Sequence, residues 1–397
     1  MLSQRVKSLK PSPTLALAAK AKELKSQGHN VISLTVGEPD WDTFSSIKKA
    51  AYDAIEQGET KYTPSNGLPD LRKAIAEQTS SDLSVNYGPD EVTVTAGGKF
   101  VIFSALQSII DPGDEVIIPA PYWVSYPTQV ELAEGKPIFV TTKKENRFTA
   151  TAEELEQAIT DKTKLIILNS PSNPTGNMYT DSALRELASV LKKYPQILLM
   201  SDDIYNRLVF EKSLAPHILH FAPELKDRVI IINGVSKTYS MTGWRLGWAL
   251  GHKEIIGAMN KYQSQSVSCA AAFTQKASIQ AIQGTASELA DSLDKLKKRR
   301  DFVVDNLNQL PNISVEVPDG AFYVWPDISF YLGKTWKGQK VENSSQFSSL
   351  LLEDQMVATV PGVEFGLDGY LRISYALDES KMKEAIERIK TFVSEFE

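Results

Sequence analysis

Between about residue 90 and residue 250 the chain repeats one pattern: a short, largely apolar run, a polar break, a helix-like stretch, then another run. The runs are Glu91–Thr95, Glu115–Ile118, Pro137–Val140, Leu165–Leu168, Ile197–Met200, Val229–Ile232 and Leu246–Ala249. A strand with one wet face alternates apolar and polar residues, whereas a continuous apolar run marks a strand covered on both faces. Helices between such strands supply both the cover and the crossover that parallel pairing needs. The expected fold class is therefore α/β, with a mostly parallel seven-stranded sheet between helices. The last run, Leu246–Ala249, is the shortest signal and reads either as a strand or as part of a loop.

After Gln265 the pattern changes to long helices, expected over residues 288–310 and 379–396, the second with apolar residues at Met382, Ile386, Ile389 and Phe392. Between them, Gly320–Val324, Met356–Val360 and Tyr370–Tyr375 read as strands of a smaller α+β domain. The N-terminal arm, with a helix ending near Gly28, is expected to pack on that domain. The expected division is residues 1–45 as arm and part of the small domain, 46–285 as the large domain, and 286–397 as the small C-terminal domain.

Composition closes off several classes of function. With 42% hydrophobic and 23% charged residues the chain is an ordinary soluble globular one. A net charge of −6 without a concentrated basic patch argues against nucleic acid. The basic run Lys295–Arg300 reads as the solvated face of a helix. A single cysteine, Cys269, rules out an internal disulfide and fits a reducing compartment. His217 and His220 have no third ligand nearby in sequence, so no metal is expected. Leu15–Ala19 is too short for a signal core and runs into Lys20, Lys22 and Glu23, and no run nears the ~18 apolar residues of a membrane span. A cytoplasmic protein without membrane contact is expected.

The polar breaks after the strands carry the chemistry. Ligands of open α/β sheets bind outside the carboxyl ends of the strands, so residues far apart in sequence should converge there. Ser236-Lys237 follows the sixth run, with Arg245 eight residues on in Gly243–Gly247. A lysine past a core strand, beside a hydroxyl and an arginine, suits a Schiff base to a phosphorylated aldehyde. The bland alternative is a solvated loop lysine. A pyridoxal phosphate site also needs an anion opposite the ring nitrogen, which Asp202 can supply, and a donor to the ring oxygen, which Tyr205 can supply. Asp203, beside Asp202, reads as a solvated turn residue or a helix N-cap. Gly97-Gly98-Lys99 opens a helix and offers backbone N–H groups to a phosphate. Trp123, after Pro121-Tyr122, can stack on the ring or belong to the core. Of Asn169 and Asn173, which flank Pro171, one can reach the ring oxygen and the other reads as a turn residue. Arg372 lies inside an apolar strand, where its partner is either a substrate carboxylate or a structural acid.

Together Gly37–Asp40, Lys61–Pro64, Pro121–Tyr126, Asn169–Gly176, Ser201–Tyr205, Ser236-Lys237 with Gly243–Gly247, and Leu371–Tyr375 resemble, in order, the motif series of class I aminotransferases. The match is to the bacterial Ib group of aspartate aminotransferases, some of which also act on prephenate, and runs from about Lys10 to Arg372. The resemblance implies fold type I, pyridoxal 5'-phosphate as cofactor, amino-acid and keto-acid substrates, and a homodimer with shared active sites. It implies Lys237 as Schiff-base residue and proton carrier, Asp202 at the ring nitrogen, Tyr205 and Asn173 at the ring oxygen, and Trp123 stacked on the ring. Gly97, Gly98, Ser236 and Arg245 would hold the phosphate, helped by Tyr62 from the other subunit. Gly37, Asn173 and Arg372 would take the substrate α-carboxylate.

For the substrate's far end, Lys99 matches the position taken to read the distal carboxylate of aspartate or glutamate, and Lys10 one associated with prephenate. Phe100 departs from the glutamine common among close relatives. The implied reaction passes the amino group of L-aspartate to 2-oxoglutarate, with prephenate as a further acceptor. An aromatic or kynurenine-type aminotransferase is the alternative that Lys99 opposes. A lyase or synthase on the same fold, or a regulatory module without catalysis, are the readings from other classes.

Overall fold

The computed structural model describes residues 1–3, 6, 7, 9 and 13–397, apart from the side chains of 13–16 and 18. Lys10 lies outside the described residues. Every one of the seven apolar runs forms a strand: β1 (Val92–Thr95), β2 (Glu115–Ala120), β3 (Lys136–Thr141), β4 (Thr163–Asn169), β5 (Leu198–Asp202), β6 (Val229–Gly234) and β7 (Gly247–Leu250). They form one sheet in the order β1-β7-β6-β5-β4-β2-β3. All neighbours pair parallel except around β7, which runs antiparallel to both β1 and β6.

The physical reason for the continuous apolar runs is visible in the core. Val94, Ile117, Ile166, Leu199 and Ile231 pack into the cluster on one face. Their alternates Val116, Ile118, Leu165, Ile167, Met200, Ile230 and Ile232 pack into the cluster on the other. Both sides of each central strand are dry, so neither side tolerates a polar residue until the strand ends.

The C-terminal part has its own apolar cluster, built on helices α3 (Ala286–Leu307) and α4 (Glu379–Val393) and on short strands β8 (Tyr323–Val324), β9 (Val360–Pro361) and β10 (Leu371–Ser374). The antiparallel order is β9-β10-β8. Helix α4 buries Met382, Ala385, Ile386, Ile389 and Phe392 at three- and four-residue spacing, and its N-cap Asp378 accepts from the Ser380 N–H. The arm joins this part. Ile32-Ser33 pairs parallel with Val357-Ala358, and Ala21 and Val31 pack with Leu352 and Ala358. Helix α1 (Pro13–Ser26) precedes that contact, as its sequence led one to expect.

The basic run on α3 is not the uniform solvated face expected. Arg300 is buried, its guanidinium 4.6 Å from the Phe210 ring centroid and bonded to the Pro318 carbonyl. Arg299 makes two bonds to Asp40, at 2.6 and 3.1 Å. The periodicity of α3 turns these two residues inward while Lys295 and Lys298 face water. Among the described residues no helix is long and apolar enough to cross a membrane.

Candidate active site

Parallel strands deliver their carboxyl ends to one edge, and the polar breaks meet there. A cavity of about 280 Å³ is lined by Gly37, Gly98, Lys99, Trp123, Asn169, Asn173, Asp202, Tyr205, Ser236, Lys237, Arg245, Tyr323 and Arg372. Twelve positions singled out in the sequence are thereby brought together from both parts of the chain. Gly97 stands just behind the lining, Tyr62 is 92% exposed and outside it, and Lys10 lies outside the described residues.

The floor is prepared for a cation. Asp202 ends β5 and is buried. Its Oδ2 accepts from the Tyr126 hydroxyl at 2.6 Å and its Oδ1 from the Ile204 N–H at 3.3 Å. Burial pushes its carboxyl up to about 6, against the pull of Tyr126, the Ile204 N–H and Lys237. It is therefore mainly a carboxylate at neutral pH, and a ring N–H⁺ would be a fitting partner. The neighbouring Asp203 does open a turn, its carbonyl accepting the Asn206 N–H at 2.9 Å, but against expectation the side chain is not solvated. It is buried, accepts from the Ser201 hydroxyl at 2.6 Å and faces His217 Nε2 at 3.6 Å. Burial, with Asp202 adding to it, pushes this carboxyl up to about 8, and burial takes His217 down to about 3.

Lys237 follows β6 and donates from Nζ to the Gly37 carbonyl at 2.6 Å. Burial is the largest influence on it and lowers the amine to about 8; Arg372 and Arg245 push the same way, against Glu38 and Asp202. An amine there is a far better nucleophile and base at neutral pH than a surface lysine. The solvated-loop alternative does not describe it.

The anion end lies at helix α2 (Gly98–Ile109). Its N-cap, Gly97, has φ +88°, and a Cβ built there would lie 2.5 Å from Arg245 Nη2. Only glycine lets the chain turn into α2 with the guanidinium so close. Arg245 Nη1 in turn donates to the Thr242 carbonyl at 2.9 Å, and Ser236 is buried alongside. Free N–H groups at a helix start, an arginine and a hydroxyl form a cup for a phosphate. Phe100, on α2, does not line the cavity; its ring meets Phe103 at 5.8 Å.

Asn169 and Asn173 divide their work. Asn169 donates from Nδ2 to the Asp202 carbonyl at 2.8 Å and accepts the Asn173 N–H at 2.8 Å, which ties the ends of β4 and β5 together. Asn173 is buried and its Oδ1 accepts from Arg372 Nη1 at 3.1 Å. Arg372 also donates to the Thr35 carbonyl at 2.6 Å, while its Nε has no partner. Among the described residues no carboxylate pairs with this buried guanidinium, so the structural-acid alternative falls away and an incoming carboxylate is the fitting anion. Lys99 is exposed, but its ammonium lies 5.1 Å from the Trp123 ring centroid. Local desolvation, then Arg245, holds its pKa below the ordinary value.

Two site residues had no assigned role in the sequence reading, Tyr126 and Tyr323. Tyr126 supplies the shorter bond to Asp202, and the Tyr323 hydroxyl lies 2.9 Å from that of Tyr205. Each sits inside an aromatic or apolar stretch, where sequence alone cannot separate a core tyrosine from one with a task.

A lysine of lowered pKa, a buried carboxylate, a phosphate cup and an unpaired arginine in one crevice fit the expected group of enzymes. The family model for aminotransferase class I and II matches residues 29–389. An aspartate/prephenate aminotransferase of Cereibacter sphaeroides is 47% identical over 98% of both chains. The crystal structure of the aspartate aminotransferase from Rhizobium meliloti superposes with a TM-score of 0.97 at 42% identity, covering 100% of each chain. That of Thermus thermophilus with maleate gives 0.92 at 38% identity over 99% of each. With the site assembled from the family's motifs and the family model spanning almost the whole chain, the protein belongs to the class I and II aminotransferases.

Proposed function

We propose that this aminotransferase uses pyridoxal 5'-phosphate to move the amino group of L-aspartate to 2-oxoglutarate, giving oxaloacetate and L-glutamate. The observation that carries the reading is Arg372, buried without an acid partner, in the same crevice as Lys237 and Lys99. Two separated cations suit a dicarboxylic substrate, and the Thermus relative was solved with maleate, a four-carbon dicarboxylate.

The residues fit the cofactor. The Gly97 turn, where a Cβ would collide with Arg245, leaves backbone N–H groups open to a phosphate, with Ser236 and Arg245 beside them. Bound there, pyridoxal phosphate supplies an aldehyde for amine capture and a ring that draws electrons from the substrate. Asp202 would keep the ring nitrogen protonated, Trp123 would cover the ring, and Tyr205 with Asn173 would serve the ring oxygen. Lys237 carries a proton to and from the substrate carbon, its amine steadied by the Gly37 carbonyl. Arg372, Asn173 and Gly37 receive the α-carboxylate, and Lys99 receives the second one. One crevice serving donor and acceptor in turn makes the kinetics ping-pong.

Tyr62, turned outward and away from its own chain's crevice, fits a homodimer in which it reaches the partner subunit's phosphate cup. Residues 1–45 are then the arm and part of the smaller domain, residues 286–397 the rest of it, and residues 46–285 the larger. A cytoplasmic location goes with this reading. Prephenate is a further amino acceptor, with Lys10 as the residue toward it, supported by the name of the Cereibacter relative.

The test is a substrate panel with purified, cofactor-loaded protein. Aspartate and 2-oxoglutarate should give oxaloacetate and glutamate in equal amounts, and prephenate with an amino donor should give arogenate. Keto acid without stoichiometric amine transfer would point to a lyase. Faster turnover of phenylalanine or kynurenine than of aspartate would establish the aromatic alternative. Absence of arogenate would remove prephenate alone.

A further inference from the structure

Tyr323 on β8 is 1% exposed and lines the crevice. It meets two residues with different duties. Its hydroxyl lies 2.9 Å from the Tyr205 hydroxyl, and the Arg372 guanidinium stands 4.6 Å from its ring centroid. The other aromatic against that guanidinium is Phe365, at 5.2 Å. Space in front of the Tyr323 hydroxyl is kept by Gly37, where a Cβ would come within 3.2 Å of it.

We propose that Tyr323 is a positioning residue that couples Tyr205, the donor to the cofactor's ring oxygen, to Arg372, the anchor of the substrate carboxylate. The proposal rests on the reading above of what Tyr205 and Arg372 serve. A phenol has one proton to give. If Tyr205 gave its proton to Tyr323, nothing would remain for the ring oxygen. Either hydroxyl can donate across the 2.9 Å contact. With the Tyr205 proton given to the ring oxygen, Tyr323 is the one left to donate, and its bond holds the Tyr205 hydroxyl in place for the crevice. The same ring gives Arg372 a flat, electron-rich face, which holds the guanidinium in place without neutralising it.

The experiment compares Y323F, Y323L and Y205F as holoenzymes, with cofactor content and thermal melts showing that each is folded. The first readout is the pH titration of the cofactor's visible absorbance without substrate. A donor to the ring oxygen stabilises its anionic form, so a weakened donor holds the proton to higher pH. Y323F should move the midpoint up by about half a pH unit, and Y205F should move it further the same way. The second readout is the dissociation constant of succinate, an unreactive dicarboxylate. Y323F keeps the ring and should bind within about twofold of wild type, whereas Y323L should bind about fivefold more weakly. A wild-type titration for Y323F with a displaced one for Y205F overturns the coupling. If Y205F also titrates like wild type, the reading of Tyr205 itself fails and the proposal with it. Undiminished succinate binding by Y323L overturns the role toward Arg372.

Discussion

Asp202 and Arg372 carry opposite charges, both shut from solvent, one at the end of the large sheet and one in the small C-terminal sheet. The protein completes the first and leaves the second incomplete. Both carboxylate oxygens of Asp202 already accept hydrogen bonds. Arg372 has an amide oxygen, a backbone carbonyl and two aromatic faces, an Nε without a partner, and no acid among the described residues. Neutral oxygens and ring faces keep a buried cation tolerable without satisfying it. On the proposed function, the large sheet would hold what stays through every turnover, and the small sheet would keep a charge for what comes and goes.

The comparison can be broken at several points. Lys237→Ala should remove essentially all turnover, a loss on the order of 10⁴-fold or more, whatever the substrate. Borohydride reduction of the wild-type holoenzyme should label the Lys237 peptide, and a label elsewhere would dismiss the assignment. Asp202→Ala should cost ~3–4 kcal/mol of transition-state stabilisation, seen in kcat with every amino acid alike. A variant with native cofactor content and unchanged kcat would show that the sheet-end carboxylate is not used.

Arg372→Leu should cost roughly 1.5–3 kcal/mol in kcat/KM, again for all amino acids, because each brings an α-carboxylate. If the loss fell on aspartate alone, the waiting charge would be serving the distal acid instead. Lys99→Ala should lower the ratio of aspartate to alanine turnover by about tenfold or less, since its exposed side chain is better screened. An unmoved ratio would place the distal acid elsewhere. Last, the amine of Lys237 must be neutral to attack an aldehyde, and its burial sets that near pH 8. The rate at which apoprotein takes up pyridoxal phosphate should rise about tenfold between pH 7 and pH 9. A rise continuing past pH 10 would mean that burial does not act on this lysine.

The sheet was legible because dry strands leave no choice of residue: Val229–Ile232 can hardly be anything else. The direction of β7 was not, since antiparallel and parallel strands buried on both faces have the same composition. Lys237 and Asp202 were legible because they fall in the polar breaks at the ends of dry strands, and Arg372 because it is a charge inside an apolar one. Tyr126 and Tyr323 were hidden for the converse reason, as their rings satisfy the apolar pattern and only the hydroxyl has a task. Arg300 shows the limit of reading charge runs, because a basic string on a helix turns inward at every third or fourth position whatever its composition.

The bond from Arg372 to the Thr35 carbonyl joins residues 337 positions apart. On the ribosome the segment carrying Thr35 and Gly37 emerges long before β10 exists. The large sheet can close earlier, because its strands all lie between Val92 and Leu250. On the proposed function, a chain that lacks β10 would keep Lys237, Asp202 and the phosphate cup for the cofactor but would lack Arg372 for the substrate. Cofactor colour would then report the sheet, while a dicarboxylate-induced change in that colour would report a finished chain.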